Sequence, residues 1–308
     1  MSNYITVDCG TTNSRVGFMC GARLLDSISF RLGARSHAAD PEGYRRMLAD
    51  AIHTLQKKNG DFDAVLVSGM LTSDLGICPI PHLIAPVGLQ NLHNGMQKMC
   101  IPEICDKPFY FIPGVKTVGE NALDTDMMRG EEAELMGLLT GEEGECVFVL
   151  PGSHSKFISV DGEGRICSIV TLLTGEMAAA LSGHTILSDS VTLGDALDTE
   201  ALRAGYACCR ERGLNEAIFK VRVMDKQLGE SDVKRYSFFL GCVLCGEVER
   251  LLSYPADTVV IAGQRQLKNA LCILLEGSGR RVIAVEDAVA ATATFRGMVK
   301  IFEYGGKQ

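Results

Sequence analysis

Two short segments about 140 residues apart combine glycine with hydroxyl side chains in a way that can hold a phosphate chain. One is Asp8-Cys9-Gly10-Thr11-Thr12-Asn13-Ser14-Arg15; the other is Pro151-Gly152-Ser153-His154-Ser155-Lys156. Gly10 and Gly152 let backbone N–H groups approach an anion, while Thr11, Thr12, Asn13 and Ser153 add polar side chains. Asp8 can hold Mg²⁺ through water, since that ion usually keeps waters and takes one or two carboxylates plus phosphate oxygens. Between them lies Met128-Arg129-Gly130-Glu131-Glu132. A carboxylate there can orient an acceptor hydroxyl and take its proton. Glu131, Glu132 and Asp126 are the carboxylates that could serve, and the alternative is complementing a helix N-terminus. Arg129 can neutralise phosphate charge or clamp a substrate carboxylate. Thr174-Gly175-Glu176 can meet substrate hydroxyls or cap a helix, and His154 and Lys156 can face a ligand or solvent.

The elements that position these residues follow from pattern. Tyr4–Val7 reads as a strand, Asp8–Asn13 as a turn, Ser14–Met19 and Leu24–Phe30 as further strands. Glu42–Lys57 carries Met47, Leu48, Ala51, Ile52 and Leu55 at helical spacing behind Pro41. Ala64–Ser68, Phe109–Ile112, Cys146–Leu150, Phe157–Val160 and Val259–Ala262 read as strands. Gly130–Leu139, Gly175–Gly183, Phe238–Leu252, Gln266–Glu276 and Ala288–Arg296 read as helices. Strand–turn–strand with a Gly/Thr/Ser turn occurs twice, a weak internal repeat whose halves can face one polyphosphate.

Composition narrows the class. The chain has 308 residues, 46% hydrophobic and 22% charged, with a formal net charge of −8. That length favours two domains, and the apolar content excludes a mainly disordered chain. An acidic chain without a basic stripe is a poor nucleic-acid binder; no apolar run is long enough for a membrane span, and the opening residues do not read as a signal peptide. Twelve cysteines suit a reducing compartment, so a cytoplasmic location is expected. Cys9, Cys20, Cys146, Cys167 and Cys272 lie in apolar stretches and read as core, as do Met127, Met128 and Met136. Cys242 and Cys245 form one CxxC without a second ligand pair.

Asp8–Arg15 resembles the first phosphate motif of the actin-like ATPase and sugar-kinase superfamily. The ordered series Ser68-Gly69-Met70 with Ser73 and Gly76, then Met128–Glu132, Leu150–Phe157 and Leu173–Glu176, resembles the 2-dehydro-3-deoxygalactonokinase family from Asp8 to about Phe295. The resemblance implies an α/β, two-domain actin-like ATPase (ribonuclease H-like) fold, with mixed five-stranded sheets flanked by helices and an interdomain cleft. It also implies transfer of the ATP γ-phosphoryl group, with Mg²⁺, to the 6-hydroxyl of 2-dehydro-3-deoxy-D-galactonate in galactonate and galactose breakdown. The expected domains are 1–139 and 140–287, with a C-terminal helix at about 288–308 packing back on the first. The implied phosphate ligands are Asp8, Gly10, Thr11, Thr12, Asn13, Gly152, Ser153 and Lys156, with Asp8 also the metal organiser. Adenosine falls to Ala262 and Gly263, catalysis to Glu131, Asp126 and Arg129, and the sugar acid to Ser73, Arg129, His154, Thr174 and Glu176. The expected partners are the sugar acid and ATP, with homo-oligomerisation left open. Cys9 stands where the family usually has Trp, and the family has aromatic residues at the places occupied here by Ile77, His82 and Phe157. A kinase of another sugar acid or keto-sugar, or a non-catalytic nucleotide or sugar-acid sensor, is the alternative.

Overall fold

A computed structural model describes residues 2–307. Contacts divide the chain into two units: a first formed by residues up to Gly144, Ser159–Ile169 and the chain from Ala288, and a second formed by Glu145–Ile158 and Val170–Asp287.

The first unit opens with β1 (Asn3–Cys9), β2 (Ser14–Cys20) and β3 (Arg23–Phe30). β1 pairs antiparallel with β2, and β2 with β3. β3 alternates exposed and half-buried positions, as an edge strand does. Next come α1 (Ala34–Ala39), α2 (Pro41–Asn59) and β4 (Ala64–Gly69). Asp40 caps α2 by accepting the Gly43 N–H, Pro41 opens its first turn, and Tyr44, Leu48, Ala51, Ile52 and Leu55 face the core. β5 (Leu83–Ile84), α3 (Leu89–Gly95), β6 (Gln97–Cys100), β7 (Pro108–Phe111), β8 (Val115–Thr117), β9 (Asp126–Met128) and α4 (Glu131–Leu138) complete this stretch. The main sheet runs β3-β2-β1-β4-β7-β6, and β5-β8-β9 form a separate small sheet. β4 lies parallel to both β1 and β7, whereas β6 is antiparallel to β7. This sheet therefore has six strands where five were expected. The addition is β6, a short edge strand, mostly exposed and without an apolar run to announce it.

The second unit carries β10 (Cys146–Leu150), the start of β11 (Ser155–Val160) and the end of β12 (Ile166–Leu172), whose joining tip at 159–169 is counted with the first unit, then α5 (Thr174–His184), α6 (Thr199–Arg212), α7 (Leu214–Lys226), α8 (Asp232–Leu252), β13 (Thr258–Ile261), α9 (Arg265–Leu275) and β14 (Arg281–Ala284). Its five strands run β12-β11-β10-β13-β14, with β13 parallel to β10 and β14. Setting β6 aside, both sheets share one order: third, second, first, fourth, fifth. The internal repeat in the sequence is thus a repeat of topology.

The chain ends in α10 (Asp287–Glu303), whose body belongs to the first unit. Ala293 and Gly297 pack directly on α4: a Cβ on Gly297 would come within 1.7 Å of Ala133 O, and one on Gly137 within 1.9 Å of Ala293 O. Among the described residues all cysteines are free, and no group of three or more His, Cys, Asp or Glu side chains could hold a metal. Cys242 and Cys245 are buried on α8, but Cys167 is exposed, as is Met127 at 59%, so neither belongs to the core in which the sequence places it. No described helix is long and apolar enough to cross a membrane.

Candidate active site

The first turn joins β1 to β2 and is braced from behind. Gly10 C=O accepts the Ala34 N–H (3.0 Å) and Thr11 C=O accepts the Arg35 N–H (3.1 Å), both from the first turn of α1. In a trans peptide the N–H points opposite to the C=O. The Thr11 and Thr12 N–H groups are therefore aimed away from α1, outward. Gly33 permits this contact, since a Cβ there would lie 2.5 Å from Gly10 O. Thr12 and Asn13 are exposed, and Asn13 Nδ2 donates to Thr12 Oγ1 (3.3 Å). Below the turn, the buried Ser14 hydroxyl lies 2.7 Å from Leu32 O and 2.8 Å from the Tyr44 hydroxyl, which donates to Cys9 Sγ. Burial pushes both the Cys9 thiol and the Tyr44 phenol up, so this knot stays neutral.

The second turn repeats the design. Gly152 C=O accepts the Gly175 N–H (3.2 Å), Ser153 C=O the Glu176 N–H (3.1 Å), and Pro151 C=O the Gln264 N–H (3.3 Å). By the same peptide geometry the N–H groups of Gly152, Ser153 and His154 point outward. Gly175 is again the contact glycine, its Cβ position 2.4 Å from Gly152 O. Gly263, at φ +113°, ends β13 against Pro151, as Gly69, at φ +87°, ends β4 against Cys9; this left-handed backbone favours glycine. Ala262 is buried and donates its N–H to Val149 O (2.9 Å).

At the start of α4, Glu131 is partly exposed and accepts the Arg129 N–H (3.0 Å). Glu132 is fully buried, accepts the Gly130 N–H on both oxygens and takes a Ser68 hydroxyl (3.3 Å). Burial, reinforced by the charge of Glu131, pushes its carboxyl up to about 8. Glu132 holds the loop and has no face for a substrate. Glu134 is pushed up to about 7, first by burial, then by the charges of Asp8 and Glu131. Asp126 sits apart on β9, its carboxylate accepting its own neighbour's N–H at Met127 (2.7 Å). Of the three rival bases, Glu131 is the one that is both at the helix start and open to solvent.

Several residues expected to touch ligands are committed elsewhere. Arg129 Nη1 donates to Thr72 O (2.7 Å) and Thr72 Oγ1, and Nη2 to Ile80 O (2.9 Å) and His82 Nδ1 (3.2 Å). With all four η N–H groups used, no carboxylate clamp is left. Ser73 donates to Met70 O and accepts the Leu75 N–H, closing its own turn. Lys156 is 7% exposed and its Nζ donates to Thr171 Oγ1 (2.7 Å) on β12. Thr174 is buried and gives its hydroxyl to Glu247. His154 and Glu176 remain at the surface, paired at 3.1 Å. Asp8 Oδ2 accepts both Arg15 Nε (3.0 Å) and Nη2 (2.6 Å), and that guanidinium lies over the Phe295 ring.

Sequence reading passed over Arg15, Gly33 and Glu247. Arg15 lay within the quoted motif, seven residues after Asp8, the cross-strand partner that a hairpin register brings opposite it. The other two signal their place only through tertiary contact.

A family model described as 2-keto-3-deoxy-galactonokinase matches residues 8–301. The chain belongs to that family. Keto and dehydro name the same group, so the description is that of a 2-dehydro-3-deoxygalactonokinase, a phosphotransferase. It is 25% identical over 236 residues, 74% of this chain and 75% of the other, to the Rhizobium meliloti (strain 1021) protein named "Probable 2-dehydro-3-deoxygalactonokinase DgoK1". A crystal structure of a Sinorhizobium meliloti protein put forward as a 2-dehydro-3-deoxygalactonokinase superposes with a TM-score of 0.82 at 22% identity, covering 99% of this chain and all of that one. Component A of (R)-2-hydroxyglutaryl-CoA dehydratase from Acidaminococcus fermentans, at 13% identity and a TM-score of 0.50 over the full length of both chains, shares the fold. That fold is the mixed α/β fold of actin-like ATPases and sugar kinases.

Proposed function

We propose that this family member transfers the γ-phosphoryl group of ATP to the 6-hydroxyl of 2-dehydro-3-deoxy-D-galactonate, in the breakdown of galactonate and galactose. The observation that carries the reading is the pair of turns whose carbonyls are tied to glycine-bearing helix or loop starts, leaving rows of N–H groups free for phosphate oxygens. Such donors act where charge moves during transfer. Glu131 orients the acceptor hydroxyl and takes its proton. Asp8, with its side chain 20% exposed at the first turn, fits a cation that arrives with phosphate oxygens as its other ligands; Mg²⁺ bound there would neutralise phosphate charge. Arg15 then has to share or release the carboxylate. The free cysteines suit a reducing cytoplasm.

A second reading, a kinase of another 2-keto sugar acid, draws on Cys9, Ile77 and His82, which stand at places where the family usually has Trp or another aromatic residue.

The test is ATP consumption with Mg²⁺ over a panel of 2-keto-3-deoxy sugar acids, with phosphorus–proton coupling locating the ester. Preference for the galacto acid, with the ester on C6, is the expected result; preference for another acid favours the second reading. Glu131→Gln keeps shape but cannot take the proton, and turnover should fall by about 10²–10⁴-fold, with Asp126→Asn near normal. The reverse outcome would move the base to Asp126.

A further inference from the structure

α8 brings one carboxyl beneath the second turn that the scheme above leaves unused. Glu247 is 1% exposed on that helix. Its Oε1 accepts the hydroxyl of Thr174, the first residue of α5. Ser155, the first residue of β11, faces the same carboxyl. Neither Ser155 Oγ nor Glu247 Oε2 has a hydrogen-bond partner of regular geometry among the described residues, although both are buried. Burial pushes the carboxyl up, towards its neutral form. One side chain thus stands between the two segments that aim the second N–H row: α5, whose N–H groups hold the carbonyls of Gly152 and Ser153, and the strand start that closes the turn. The first unit puts Tyr44 of α2 in the matching place, against Ser14 at the start of β2. A buried carboxyl is a costly way to fill space unless its oxygens are hydrogen-bonded, and this one is tied to the Thr174 hydroxyl, so it holds a polar contact rather than merely packing.

We propose that Glu247 is a positioning residue for the nucleotide phosphates: by joining Thr174 to the base of the second turn, it fixes the direction of the Gly152, Ser153 and His154 N–H groups. The inference rests on the kinase reading above. The carboxyl touches no substrate and acts through the backbone it holds.

The experiment measures ATP affinity by calorimetry, and KM for ATP and for the sugar acid separately, in Glu247→Leu, Glu247→Gln and Thr174→Val. Glu247→Leu leaves the buried Thr174 hydroxyl without its acceptor and should lower the melting temperature, weaken ATP about tenfold, the scale of one hydrogen bond at a buried group, and leave KM for the sugar acid unchanged. Glu247→Gln, with an acceptor for Thr174 and a donor for Ser155, should recover most of the loss. Thr174→Val, which cuts the bridge from the other side, should repeat the defect, and decides the matter if Glu247→Leu does not fold. Unchanged ATP affinity in the folded Leu and Val variants overturns the proposal, as does a defect of equal size for ATP and sugar acid. Gly33→Ala, which puts a methyl group 2.5 Å from Gly10 O and so displaces the first N–H row, separates the two levels of argument. If it weakens ATP while the Glu247 and Thr174 variants do not, only the role of Glu247 falls; if none of them does, the phosphate reading falls with it.

Discussion

The four η N–H groups of Arg129 end on Thr72, Ile80 and His82, so this guanidinium pins the loop between β4 and β5 to the start of α4. His82 accepts through Nδ1, which requires a neutral ring. Burial, then the charges of Arg129 and Lys116, bring its pKa down to about 4. Between pH about 6.5 and 4 the unfolded chain takes up a proton that the folded chain refuses, so this contribution to stability is present above that window and lost as pH falls through it. His82→Asn keeps an acceptor for Arg129 and does not titrate. Its melting temperature should fall less than that of the parent between pH 6.5 and 4; parallel curves would show that the ring carries no such linkage. Residue types were a partial guide here. They showed that Glu131 starts a helix, but not that Arg129, Ser73, Thr174 and Lys156 spend their polar atoms on the protein. Those partners lie 3 to 73 residues away, and apart from the Ser73 cap no local pattern announces them.

At the scale of elements, each of the two glycine turns depends on a helix start that reaches it through glycine. Gly175→Ala puts a methyl group 2.4 Å from Gly152 O, so turn and helix must separate and the N–H row must turn. Overpacking of this kind costs about 1–3 kcal/mol, and ATP affinity should drop along with melting temperature. Gly183→Ala, farther along the same helix with open space around it, should be neutral or stabilise by about 0.5–1 kcal/mol. Equal behaviour of the two variants would remove the contact from the argument. The strand–turn–strand units were legible because β1, β2, β10 and β11 are apolar runs on either side of glycine turns. α6 also carried a signal, with Asp198 as cap, Leu202, Gly205 and Cys209 inward, and Gly213 after its end, though its mixed polarity hides the stripe. β6 and α1 are too short and polar to read.

At the scale of the whole molecule, the first unit is assembled from stretches of chain far apart in sequence. α10 supplies Ala293 and Gly297, which seat on Ala133 and Gly137 of α4 with backbone nearly touching backbone. A fragment ending at Gly144 lacks that helix and uncovers the α4 face it protects. It should be largely insoluble or molten when expressed alone, with poor near-ultraviolet ellipticity, and residues 288–308 attached through a linker should restore a cooperative melt. Cooperative melting of the bare fragment would show α10 to be dispensable. The sequence hinted at this helix returning, but the small-residue contact that receives it needs both partners in view.

The first and last elements also meet: the Tyr4 hydroxyl on β1 donates to Glu303 at the end of α10 (3.1 Å), and the Tyr4 and Phe302 rings lie 5.4 Å apart. Elements held this close tolerate being joined through a linker, with new ends opened at an exposed loop. Gly141–Gly144, polar and largely exposed, is such a loop. A circular permutant opened there would run through the second unit first and then through α10 into β1, so that all of the first unit but the hairpin tip at 159–169 became one continuous stretch of chain. The natural order of the chain is thus one of at least two in which this architecture can be written.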